Sequence, residues 1–139
     1  MAYEGKYRTW STQAGADLSN LTAGTGSLHK AITQLGVLAA SPGVNAAGLL
    51  KYAGNSGAHI TLGIEGEMKF VAGAAVTSVN APLSVAAGYL TVATSGDWIV
   101  GRFVGGTNRS TSISSGSVGT GMFDFINPVY AASTAALEF

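Results

Sequence analysis

Between His59 and Phe70 the chain alternates: Ile60, Leu62, Ile64, Met68 and Phe70 fall on one parity, and His59, Thr61, Glu65, Glu67 and Lys69 on the other. A period of two is that of a half-buried β-strand, in which successive side chains point to opposite faces. Gly63 and Gly66 interrupt the run, and glycine inside an alternating strand marks a bulge or a tight bend, so this segment is expected to be a strand pair or one bent strand. Gly48 to Tyr52, Tyr89 to Ala93, Trp98 to Val104 and Val118 to Ile126 are also short, β-branched or aromatic, and bounded by turn residues such as Gly54-Asn55-Ser56-Gly57 and Ser95-Gly96-Asp97. Leu28 to Ala40 fits a helical stripe or a strand; Gly36 and the β-rich surroundings favour strand. Val71 to Thr77 echoes Val85 to Thr91 faintly, which suggests successive hairpins, and Pro128 is expected to end the last strand.

The pattern predicts an all-β fold: a small β-barrel or sandwich of short, glycine-punctuated strands with an extended N-terminal arm. Residues 1–27 are assigned to the arm, 28–127 to a β-rich body and 128–139 to a C-terminal tail that is either loose or a short helix. The arm holds Tyr3, Tyr7 and Trp10 and then dissolves into Gly, Ala, Ser and Thr. Such a segment buries too little apolar surface locally to offset an ordering entropy of roughly 1–2 kcal/mol per residue, so it stays mobile or orders against another surface.

Composition narrows the function classes. The 139 residues suffice for one domain, with seven Lys and Arg against seven Asp and Glu and a charged fraction of 10%, well under the roughly 25% of an average soluble domain. Neither a nucleic-acid binder nor a polybasic membrane reader fits a neutral chain without clustered cations. There is no cysteine, which excludes disulfides, thiolate metal sites and thiol nucleophiles. The first dozen residues interleave acids, bases and aromatics and predict no secretory leader, and no apolar run approaches the roughly 18 residues of a membrane helix.

Candidate chemistry is sparse. His59 lies too far along its strand from Glu65 and Glu67 to share a metal with them, since each residue advances about 3.3 Å. Glu65 and Glu67 stand about 7 Å apart on one face, a spacing that superficially matches paired glycosidase carboxylates, but Lys69 beside them makes a solvated ion row. Gly24-Thr25-Gly26 and Gly119-Thr120-Gly121 lack the later glycine and lysine of a phosphate loop, and no serine sits in a nucleophile elbow. No catalytic, metal or cofactor site is expected, and the protein reads as a non-enzyme.

Gly63-Ile-Glu-Gly-Glu-Met-Lys-Phe-Val-Ala-Gly-Ala-Ala-Val-Thr77, followed by Ala93-Thr-Ser-Gly-Asp-Trp-Ile-Val-Gly-Arg102 and Gly116-Ser-Val-Gly-Thr-Gly-Met-Phe-Asp-Phe125, resembles the glycine-punctuated strands of the capsid decoration, or cement, proteins of tailed bacteriophages. The likeness extends over residues 28–126. It implies a structural virion protein on the outer surface of an expanded icosahedral head, found in the host cytoplasm during assembly, which bridges major capsid protein subunits as a homotrimer. The terminal arm would add to a capsid sheet, with Tyr3, Tyr7, Arg8 and Trp10 as its contacts. The competing expectation is a head-fibre or receptor-binding module that recognises glycans through Tyr89, Trp98 or loop polar groups.

Overall fold

The computed structural model describes residues 5–19, 26–39, 46–106 and 110–131. Its fold is all-β. Among the described residues ten strands follow in chain order: β1 (Tyr7–Gln13), β2 (Ala31–Thr33), β3 (Ala46–Tyr52), β4 (His59–Val71), β5 (Pro82–Ala86), β6 (Tyr89–Val92), β7 (Trp98–Ile99), β8 (Gly101–Gly105), β9 (Val118–Asp124) and β10 (Val129–Tyr130). Seven of them form one path, β2-β3-β4-β9-β8-β5-β6, onto which β1 adds at β4; β7 and β10 make a separate two-stranded ribbon.

The path nearly closes into a barrel. Ala31 N–H at the start of β2 donates to Gly88 O at 2.8 Å, and Gly73 N–H, just past β4, donates to Leu90 O of β6 at 2.9 Å. A parallel bridge between Ala72 and Leu90 reinforces this closure. Closure removes sheet edges that would otherwise invite pairing with other chains. The β5–β6 hairpin is a two-residue turn over Ala87 and Gly88, with φ of 52° and 84°, the left-handed pair whose twist matches the flanking strands.

Strand β4 is the hinge of the architecture. Its residues Gly63 and Leu62 pair with both β1 and β3, and Glu65 and Gly66 with both β1 and β9. One edge of β4 therefore carries β1, and the opposite edge is divided between β3 and β9. Opposite β1 the register slips by one residue: Arg8 faces Glu65 but Thr9 faces Gly63, which leaves Ile64 as a bulge. Gly66 follows at φ 122°, where a Cβ would meet the Lys6 carbonyl and lie 2.7 Å from Tyr7 Cα; only glycine fits this backbone beside β1.

This irregularity reverses which parity faces which core. Ile60 and Leu62 belong to a cluster with Ala14, Leu18, Ile32 and Leu50. Met68 and Phe70, of the same parity, belong instead to the barrel core with Leu49, Leu83, Val85, Leu90, Phe103 and Phe123. Alternation along β4 is as expected, but the strand serves two cores. Inside the barrel, Phe70 meets Phe103 edge-on at 6.3 Å and Phe123 at 5.6 Å, the arrangement favoured by ring quadrupoles.

The extended arm expected at the N-terminus is not what residues 5–19 form. Tyr7–Gln13 are a strand on the edge of β4, and the following residues strap the second cluster: Ala14 N–H donates to Ala58 O at 2.8 Å and Leu18 N–H to Gly54 O at 3.0 Å. Ala14 and Leu18 are buried. An open strand edge and an uncovered apolar cluster, both supplied by distant residues, provide the burial that the segment lacks by itself. Residues 1–4, including Tyr3, and the tail from 132 onward lie outside the described residues.

Other departures are local. Of Leu28 to Ala40, Ala31–Thr33 is strand, and the chain then turns so that Leu38 bridges back to Ile32. Val71 to Thr77 is no hairpin; it leaves β4 and is held at Val76 by a bridge to Ile113. Trp98 to Val104 splits at Val100, whose N–H donates to Leu83 O at 2.9 Å. Strand β9 ends at Asp124, and β10 begins just after Pro128.

Candidate functional site

Two surfaces bring chemistry or recognition groups together. The first is β1. Four consecutive residues, Arg8 to Ser11, are exposed, and among the described residues β1 pairs with β4 alone. Its other edge therefore presents main-chain donors and acceptors. Tyr7 is half-buried against the barrel core, with Lys51 Nζ 5.6 Å from its ring centroid. Arg8, an exposed side chain, reaches the half-buried Glu65 at 3.6 Å, a pair of little energetic consequence at the surface. Trp10 lies opposite Leu62 and keeps 42% of its surface exposed. Of the four residues expected to make contacts, Tyr7, Arg8 and Trp10 thus share one strand; Tyr3 is among the residues not described.

The second surface is a groove of about 300 Å³ where the ribbon β7–β10 overhangs β8 and β9, lined by Ile99, Val100, Arg102, Met122, Asp124, Asn127 and Val129, among others. Asp124 Oδ1 accepts from Ile126 N–H and Asn127 N–H, each at 3.0 Å, so a local turn fixes the carboxylate. Burial lowers the Arg102 guanidinium below its ordinary pKa, as desolvation of a cation does. Met122 and Val129 are exposed at the groove, as is Ile126 next to it. Spacing along the chain does not reveal this site, because Arg102 is far in sequence from Asp124 and Asn127, and those two look like turn residues; the Asp-Phe-Ile-Asn-Pro stretch is the available signal.

The aromatic residues of the competing reading do not share a site. Tyr89 OH accepts from the buried Lys30 Nζ at 3.2 Å, with that nitrogen 4.4 Å from the ring centroid. Trp98 packs against Tyr130 with centroids 5.1 Å apart. Ile99 pairs with Val129 and Trp98 with Tyr130, so strand alternation puts these aromatics on the ribbon face opposite the groove. Glu65 and Glu67 are half-buried on β4, and among the described residues no three His, Asp or Glu side chains come together as a metal site. Among the same residues, no helix is long and apolar enough to cross a membrane.

No protein-family model and no curated protein matches the chain.

Proposed function

We propose that this chain is a structural decoration protein of a tailed-bacteriophage head, which binds the outer surface of the expanded capsid and bridges major capsid protein subunits, working as a homotrimer. The observation that carries this reading is β1: a seven-residue strand, exposed over most of its length and, among the described residues, paired along one edge alone. A partner strand can extend the sheet there through main-chain hydrogen bonds, with Trp10 supplying a large apolar contact. A nearly closed barrel behind β1 gives the rigid body that such a clamp requires, and the low charge suits surfaces that pack into arrays. Many modest contacts on one lattice then sum by multivalency. The resemblance of residues 28–126 to cement proteins supplies the identity of the partner in this reading.

The test is to mix the purified protein with expanded, undecorated heads and with unexpanded precursors. Saturable binding to expanded heads alone is the expected result; binding to neither, or equally to both, overturns the proposal. Trp10→Ala lowers the affinity for heads without changing the thermal unfolding of the free protein.

A further inference from the structure

The groove between the ribbon and the barrel wall plays no part in the reading above. Its floor strands offer no main chain to a visitor: β8 is paired on both edges, by β9 and β5, and β9 on both edges, by β4 and β8. A peptide added as an extra strand has no edge to bind there. Recognition in this groove must come from side chains.

Those side chains form a small and varied set. Arg102 offers a planar, charged fork of donors, Asp124 a carboxylate that only accepts, and Asn127 an amide that does both. Between them lie the apolar surfaces of Met122 and Val129, which are 49% and 59% exposed. At about 300 Å³, the volume is at the lower end of the roughly 300–1,000 Å³ of small-molecule sites. A compact, rigid molecule with hydroxyls around its rim, an apolar C–H face and one anionic group matches this lining. A guanidinium in a partly desolvated place favours a carboxylate, which it meets through a charge-assisted hydrogen bond. The Asp124 carboxylate, held by its turn, suits sugar hydroxyls and would repel a second anion.

We propose that this groove binds an acidic pyranose, its carboxylate on Arg102, its hydroxyls on Asp124 and Asn127, and one C–H face against Met122 and Val129. This extends the protein's role beyond attachment to a head: the same body recognises uronic-acid-type sugars. The proposal does not depend on the decoration reading, because binding is measured on the free protein.

The test is a titration of the isotope-labelled full chain followed by amide resonances, with D-glucuronate, D-glucose and the blocked peptide acetyl-Ala-Glu-Ala-amide as probes. D-glucuronate is expected to give saturable shifts at Met122, Asp124, Asn127 and Val129, with glucose weaker by about tenfold or more for want of the charge-assisted pair. Arg102→Gln brings glucuronate down to the glucose level, and Asn127→Ala weakens both sugars, while a dispersed spectrum shows that each variant is folded. Absence of saturable shifts with glucuronate, an equal response to the glutamate peptide, or unchanged binding by the folded Arg102→Gln protein would each overturn the proposal.

Discussion

Lys51 Nζ donates to His29 Nδ1 at 2.9 Å. The same ammonium donates to the carbonyl of Lys69 at 2.9 Å and lies over the Tyr7 ring, so one side chain on β3 ties together β1, β4 and the loop before β2. Because an ammonium only donates, His29 Nδ1 must be the acceptor, and its ring carries the proton on Nε2. Gly63 leaves the space for this arrangement: a Cβ there would meet the Met68 sulfur and stand 3.3 Å from Tyr7 and 3.4 Å from Lys51.

Replacing this hub tests its weight. Lys51→Met keeps the aliphatic stem and removes the donors, and is expected to lower the unfolding free energy by about 1.5–3 kcal/mol, the range for hydrogen bonds to a charged group. Urea denaturation of variant and parent gives the difference; a change within error would show that water replaces the contacts at no cost.

Gly66 controls the seating of β1. In Gly66→Ala the methyl group has to occupy left-handed space at a cost of roughly 1–2 kcal/mol and also presses on the Lys6–Tyr7 backbone. The expected outcome is local: faster amide exchange across residues 8–13, with the Phe70 and Phe103 environments unchanged. Protection retained throughout β1 would refute the role assigned to this glycine.

Phe70 is fully buried and touches two other rings. Phe70→Ala should cost about 3–5 kcal/mol, enough to leave a marginally stable domain largely unfolded near room temperature. Calorimetry of the variant checks this, and Phe70→Leu should recover most of the loss.

Ala87 is the opposite case, a site that can be improved. It holds φ 52° with a side chain that gains nothing from that conformation. Ala87→Asn installs the Asn-Gly pair preferred in such turns and is expected to raise stability by about 0.5–1 kcal/mol, read as an increase in Tm.

The strand class and most strand positions were legible because alternation and glycine punctuation are local signals. Of the strands that escaped, Tyr7–Gln13 and Val129–Tyr130 are each ordered by a partner remote in the chain, whereas Pro82–Ala86 pairs with its neighbour Tyr89–Val92 across a two-residue turn. Tyr7–Gln13 is too polar to declare itself, and its place depends on the vacant edge of β4. The reversal at Gly66 was equally hidden, since Leu62 and Met68 look equivalent by parity and only the bulge sends them to separate cores. The same holds for the groove, whose lining brings Arg102 and Asn127 together through strand pairings that no spacing rule reveals.

The position of β9 also bears on synthesis. Val118–Asp124 lies between β4 and β8, so a chain emerging from the ribosome exposes two facing, unfilled strand borders until β9 itself has been made. The barrel then shuts like a zip whose slider is threaded last, and a chain cut short just before Val118 would be prone to clump rather than form a smaller working body.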